Sequence, residues 1–233
     1  MSIAVILASG KGKRMKMDKN KVLLTIGKKP LLFYTLNVFE KNSDIKKIII
    51  TIRQEELATI KKLSLKFKKI ESIILGGSER QNSAFNALQY LNEKIGNKDN
   101  PIIVFHNGSN PFVTHKEISQ SIKMAKKYGA CAVAHPTKDT IKEVDTNGMV
   151  VKTLERKRLW NMQTPQAIQF RLAMKAFLSA YKDNFIGTDD TSLVERLGGK
   201  VKVIQGSPYN FKITNQTDLK LAKVIFRDFK KTT

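Results

Sequence analysis

The sequence predicts an α/β fold, a mostly parallel sheet with helices on both faces and a protruding β-hairpin arm. Three observations predict it. Short apolar runs recur along the 233 residues, each stopped by turn-forming residues, as buried strands are. Between them lie stretches with apolar residues at helical spacing, so strand and helix alternate and the strands should run parallel. The alternation breaks once, at an Asn-Gly pair between two short strand-like segments, which signals a hairpin.

The first run, Ile3 to Leu7, ends in Ala8-Ser9-Gly10-Lys11-Gly12-Lys13-Arg14-Met15. Glycines at 10 and 12 allow a sharp turn that brings backbone N–H groups close to an anion, and Lys11, Lys13 and Arg14 add charge there. A polyphosphate cradle is built this way. A dinucleotide fingerprint would need a third glycine where Met15 stands, and the ATPase P-loop spacing is absent. A plain glycine turn with solvated lysines also fits, so the stretch alone leaves the choice open.

Asn20 to Gly27 reads as a short strand-like segment, and Pro30 opens a helix carrying Leu31, Leu32, Leu36 and Phe39. Lys47 to Ile52 is the next strand and Glu55 to Lys66 an amphipathic helix. Ile70 to Leu75 is a strand ending in Gly76-Gly77, after which Ser78 caps a helix with Gln81 as its capping-box partner. Pro101 to Phe105 is a strand ended by His106-Asn107-Gly108-Ser109-Asn110-Pro111. A helix from His115 to Tyr128 leads to the strand Ala130 to Ala134. Ligands of parallel sheets sit at the carboxyl ends of the strands, here the Gly10, Gly76-Gly77 and His106–Pro111 corners.

Asp139 to Val144 and Met149 to Leu154 form the hairpin. An isolated two-stranded arm is marginal in water, so a second subunit should cover it. Gln169 to Tyr181 is a helix, Thr188-Asp189-Asp190 caps another that ends at Gly198-Gly199, and Lys200 to Ile204 is a strand. Asn210 to Thr214 reads as a further strand, and Asn215 with Asp218 starts the last helix. One domain is expected over residues 1–233, with residues 138–160 as the arm.

Composition narrows the class. No apolar run approaches the length of a membrane span, and the basic residues follow the first apolar segment rather than precede it, unlike a signal peptide. The one cysteine, Cys131, sits in an apolar run as a small hydrophobe and suits a reducing cytoplasm. The net charge of +22 raises the question of nucleic acid. The lysines are spread along helix faces, without aromatic-interleaved basic segments, so the charge reads as a solvated surface that favours phosphorylated substrates rather than a nucleic-acid groove.

Ala8–Met15, Lys21–Gly27, Gly76-Gly77-Ser78-Glu79-Arg80 with Ser83, and Lys138–Lys142 come in this order, before Leu159-Trp160 and Gln163–Gln166. Thr188–Glu195 and Asn210–Thr214 complete the set. With these motifs the chain resembles, over nearly its full length, the cytidylyltransferases that make 4-diphosphocytidyl-2-C-methyl-D-erythritol and their ribitol-5-phosphate relatives. The resemblance implies a Rossmann-like nucleotidyltransferase sheet, a homodimer joined through the arm, and transfer of the cytidylyl group of CTP to a polyol phosphate. It implies that Arg14, Lys21 and Lys212 stabilise the reacting phosphates. Ala8, Ser9, Gly10, Lys11, Gly12, Lys13, Gly76, Gly77, Ser78, Arg80, Ser83 and Asn107 would bind CTP. Thr140, Arg156, Thr164 and Thr188 would bind the sugar phosphate, the arm residues in a neighbouring subunit. Plainer roles stand beside these: Asp189 and Asp190 as helix caps, Leu159 and Trp160 as packing, Arg158 as a surface residue.

One departure matters. The family pattern His-Asp-Ala-Ala-Arg-Pro is here His106-Asn107-Gly108-Ser109-Asn110-Pro111. Asn107 stands where the family aspartate helps hold Mg²⁺, and a neutral carbonyl oxygen is a poorer ligand for that cation. Mg²⁺ is then expected to arrive on CTP, held chiefly by phosphate oxygens and water. A non-catalytic relative that binds nucleotide or nucleic acid is the alternative of another class.

Overall fold

A computed structural model describes residues 1–10, 20–96 and 99–231. β1 (Ser2–Leu7) is followed by a 3₁₀ turn at Lys21–Leu23 and a small antiparallel ladder, β2 (Thr25–Ile26) with β3 (Lys29–Pro30). Then come α1 (Leu31–Lys41), β4 (Lys47–Ile52), α2 (Leu57–Ser64) and β5 (Ile70–Leu75). α3 (Arg80–Asn92), β6 (Ile102–Asn107), α4 (His115–Tyr128) and β7 (Ala130–Pro136) follow. The arm is β8 (Lys142–Val144) and β9 (Val150–Thr153), and β10 (Trp160–Gln169) returns to the main sheet. α5 (Phe170–Lys182), α6 (Ser192–Arg196), β11 (Val201–Gln205) and α7 (Gln216–Lys231) complete the order.

Seven strands form the sheet in the order β11-β7-β10-β6-β1-β4-β5. β1 alternates between two cores, as a two-residue repeat requires. Ala4 and Ile6 join Leu36, Phe39, Ile60 and Ile118, under α1, α2 and α4. Ile3, Val5 and Leu7 join Phe85, Leu88, Phe177 and Val194, under α3, α5 and α6. Helices therefore cover both faces. The chain runs from β1 outward to β5, then returns to place β6 on the other flank of β1. That reversal opens a crevice at the carboxyl ends of β1 and β6, where open parallel sheets bind ligands.

Three local expectations are corrected, and one strand not expected from the sequence joins the sheet. Asn20–Gly27 is a 3₁₀ turn plus a two-residue strand, because the Asn20 side chain accepts from Val22 N (3.2 Å) and closes the turn. At the start of α3 the capping side chain is Asn82, whose Oδ1 accepts from Glu79 N (3.1 Å). Gln81 instead turns inward to Phe185 O (2.9 Å) and Gly187 N (2.8 Å). Residues 210–214 form no strand; Ile213 N reaches Ser109 O (3.0 Å), which ties this loop to the end of β6. Finally, the otherwise parallel sheet takes in β10, antiparallel to both β6 and β7. Pro165 lacks a ladder donor and argues against an interior strand. The sheet accommodates it by a register break between Met162 and Gln166, which leaves Gln163, Thr164 and Pro165 out of the ladder.

The arm stands apart from both cores. β8 and β9 pair only with each other, all their residues are exposed, and Val144, Met149, Val150 and Val151 show large apolar surface.

Candidate active site

The crevice at the β1–β6 reversal is a cavity of about 460 Å³. Among the described residues its charged lining is Lys21, Arg53, Arg80 and Lys212 against one carboxylate, Glu79. Lys11, Gly12, Lys13 and Arg14, the rest of the expected cradle, lie outside the described residues.

One wall is built from glycines. Gly76 N donates to Ile52 O (2.8 Å), extending the β4–β5 edge into the turn. Ser83 Oγ accepts from Gly77 N (3.0 Å), donates to Glu79 O (3.1 Å) and lies 2.8 Å from Ser9 Oγ. A Cβ on Gly76 would come within 2.4 Å of Ser9 Cβ and 2.8 Å of Ser83 Oγ, so only glycine fits. Ser9, Gly10, Gly77, Ser78 and Ser83 all line the cavity, while Ala8 is buried behind it.

The cations are held from behind. Asn20 Nδ2 donates to Ala8 O (2.8 Å) and Glu56 Oε2 (2.8 Å), fixing the turn that presents Lys21. Glu56 in turn takes Arg53 Nε (2.9 Å). Arg80, the first residue of α3, spans the crevice: Nη1 donates to Asn107 Oδ1 (2.7 Å) and Nη2 pairs with the Asp190 carboxylate. Asp190 was expected to cap a helix; only Asp189 does so, accepting from Ser192 N (2.8 Å). The Asp190 side chain faces inward and is 2% exposed. Its pKa is raised, by burial above all, with the Arg80 charge opposing and the neighbouring Asp189 adding to the rise. Gln166, at the register break of β10, sets this loop: Oε1 accepts from Asp190 N (2.9 Å) and Thr191 N (3.2 Å), and Nε2 donates to Asp189 Oδ2 (2.8 Å).

Other expected site residues are placed elsewhere. Thr164 is buried behind Asn107, with Oγ1 3.4 Å from both Asn107 N and Nδ2. Asn110 also points inward, donating to Asn210 O (3.2 Å). Thr188 is exposed at the start of the Asp189–Asp190 loop. Thr140 and Arg156 lie exposed on the arm and line no part of their own chain's cavity; Arg156 Nη1 donates to Lys138 O (3.1 Å). Sequence reasoning missed Arg53, Asn20, Glu56 and Gln166. Arg53 was within reach, since it follows β4 at the same carboxyl edge as the other corners.

His106 supports the floor. It is fully buried beside Phe39, and its Nε2 must carry the proton donated to Asn110 O (3.1 Å), since a carbonyl only accepts. Burial drives its pKa down from 6.5 to about 3. The unfolded chain therefore binds this proton first as pH falls, so stability is lost from pH 6.5 downward toward about 3. Between pH 7 and pH 5 this one group should cost about 2 kcal/mol. Urea unfolding of the wild type and His106→Gln at both pH values checks it. The variant should lack that part of the pH dependence; equal dependence in both would refute it.

Comparison with known proteins fits this geometry. The family model described as 2-C-methyl-D-erythritol 4-phosphate cytidylyltransferase matches residues 2–228. The enzyme of that name from Bacillus cereus is 43% identical over 225 residues, 96% of each chain. The one from Clostridioides difficile is 40% identical, covering 97% of this chain and 93% of its own. Among solved structures, a 4-diphosphocytidyl-2C-methyl-D-erythritol synthase from Anaerococcus prevotii superposes with a TM-score of 0.84 at 28% identity, 97% of each chain covered. A 2-C-methyl-D-erythritol 4-phosphate cytidylyltransferase from Francisella tularensis gives 0.78 at 29% identity, over 96% of this chain and 99% of that one.

Proposed function

The chain belongs to the 2-C-methyl-D-erythritol 4-phosphate cytidylyltransferase family, and on that premise we propose how its residues divide the reaction. The enzyme transfers the cytidylyl group of CTP to 2-C-methyl-D-erythritol 4-phosphate, giving 4-diphosphocytidyl-2-C-methyl-D-erythritol and pyrophosphate. A phosphate oxygen of the sugar forms the new bond to the α-phosphorus of CTP, and the bond from that phosphorus to the bridging oxygen of pyrophosphate breaks. No protein nucleophile is needed, so the protein's work is alignment and stabilisation of charge.

The observation that carries this reading is the cavity that sets four cations against one carboxylate among the described residues, with glycines in its wall. Ser9, Gly77 and Ser83, packed against Gly76 behind them, hold the cytosine. Lys21 faces the charge that grows on the α-phosphate and leaving group, helped by Arg53, Gly10 and the Lys11–Arg14 segment. Lys212 and Arg80 face the incoming sugar phosphate. Mg²⁺ comes with CTP as part of the substrate. Among the described residues no three His, Cys, Asp or Glu gather as a metal site, and Asn107 Oδ1 already accepts from Arg80. Pyrophosphate release from CTP with 2-C-methyl-D-erythritol 4-phosphate, and separately with ribitol 5-phosphate, tests the reading. Turnover with the former that follows the Mg²⁺–CTP concentration is expected. No release, or preference for ribitol 5-phosphate, would overturn it.

The arm completes the proposal as a dimer contact that lends Thr140 and Arg156 to the neighbour's cavity. Its exposed apolar residues, including Trp160 and Met162 at its root, support this. Arg156→Ala and Lys212→Ala should each be inactive, and their mixture should regain activity in hybrid dimers. A mixture as inactive as its components would refute the shared site. No helix among the described residues is long and apolar enough to cross a membrane. A cytoplasmic setting belongs to the proposal, supported by the single buried thiol of Cys131; recovery in a secreted fraction would count against it.

A further inference from the structure

Asp190 is a carboxylate taken almost wholly out of water, in a loop no cavity-lining residue belongs to. A buried carboxylate is costly unless it is paired. Here the pairing comes from an element distant in sequence, Arg80 at the start of α3. Arg80 lines the cavity. Arg80 is held at a second point by Asn107 at the end of β6. Asp190 is itself fixed by Gln166 through two backbone N–H groups and the neighbouring Asp189. The result is a chain of fixed groups from an interior strand to a cavity cation: Gln166, the Asp189–Thr191 loop, Asp190, then Arg80.

We propose that Asp190 is a positioning residue for cytidylyl transfer, holding Arg80 as a preset charge on the phosphates, with Gln166 holding Asp190. The inference rests on the reaction assigned above. Its physical basis is that charges fixed before reaction need no reorganisation when the transition state forms. An arginine serves here because its planar fork reaches Asn107 and Asp190 from two separate nitrogens, whereas a lysine offers all its donors from one nitrogen. The charged groups facing Asp190 are Arg80, Lys212 and Asp189. Displacing a reacting group or its partner by about 1 Å can cost on the order of 10²-fold in rate.

The test uses the full-length enzyme, CTP and 2-C-methyl-D-erythritol 4-phosphate. Asp190→Asn keeps the shape and removes the charge. Its kcat should fall by about 10²-fold, with KM for CTP changing far less. Arg80→Lys should show the same split. In the Arg80→Lys background, Asp190→Asn should cost little more, because both act through one contact. A merely structural role predicts a lowered melting temperature, kcat per folded enzyme retained, and losses that add in the double variant. That pattern overturns the proposal. Should Asp190→Asn not fold, Arg80→Lys and Gln166→Glu carry the kcat-against-KM test in its place, and normal kcat in both overturns it. If the wild type itself releases no pyrophosphate, the reaction assignment fails and this inference with it. Wild-type turnover with an unimpaired Asp190→Asn refutes this inference alone.

Discussion

Lys21→Ala is expected to lower kcat by about 10² to 10³-fold while the protein stays folded. The side chain is only 9% exposed, yet it lines the cavity. The turn that carries it is fixed by Asn20, whose amide ties Ala8 at the end of β1 to Glu56 beyond β4. The ammonium is therefore aimed from a rigid base into a partly dry site, where its charge is worth more than in water. Charge that grows on the phosphates during transfer is what such a group stabilises. Steady-state kinetics decide the matter. Equal loss in kcat and kcat/KM marks an interaction made in the transition state, whereas a raised KM with normal kcat would mean that Lys21 only binds ground-state CTP.

Gly76→Ala is expected to abolish measurable CTP binding at concentrations about 100-fold above the wild-type Kd, a loss of more than about 2.7 kcal/mol. The added methyl would sit 2.4 Å from Ser9 Cβ, 2.5 Å from Ser9 Oγ and 2.8 Å from Ser83 Oγ. Real Cβ atoms do not approach so closely, so the Ser9–Ser83–Gly77 wall must open. Calorimetric titration with CTP measures the effect, and circular dichroism checks that the sheet persists. Adding Ser9→Gly removes two of the three clashing atoms and should restore part of the binding. Unchanged CTP affinity in Gly76→Ala would show that this wall does not touch the base.

Much of this was legible in the sequence. The strands β1, β4, β6 and β7 are built on apolar runs, β5 keeps an apolar end after Glu71 and Ser72, and each stops at a polar or glycine corner, so the cavity's edges were readable from these stops. The Asn147-Gly148 turn gave the arm. What escaped has physical reasons. β10 carries Pro165 and a polar Gln163-Thr164-Gln166 stretch, and an interior position for it depends on a register break that no local pattern encodes. Asp190 resembles a helix cap next to Asp189, and only the approach of Arg80, 110 residues away, makes it a buried ion-pair partner. Residues 210–214 alternate like a strand, but their bonds go to Ser109 and Asp218 instead. Of the expected cations, Arg14 falls outside the described residues, and Arg53, which was not expected, joined the site only with the fold.

The arm's root has a mechanical meaning. β7 and β10 are ladder neighbours, paired at Pro136 with Trp160, and Thr137 N reaches Leu159 O (3.0 Å). The arm is thus the far tip of one long antiparallel turn, and its returning leg is an interior strand of the sheet. Six positions along that leg from Trp160 stands Gln166. The arm and Gln166 thus share one strand, whose ladder with β7 is interrupted between Met162 and Gln166. Grip at the tip and geometry at the crevice are joined by one strand.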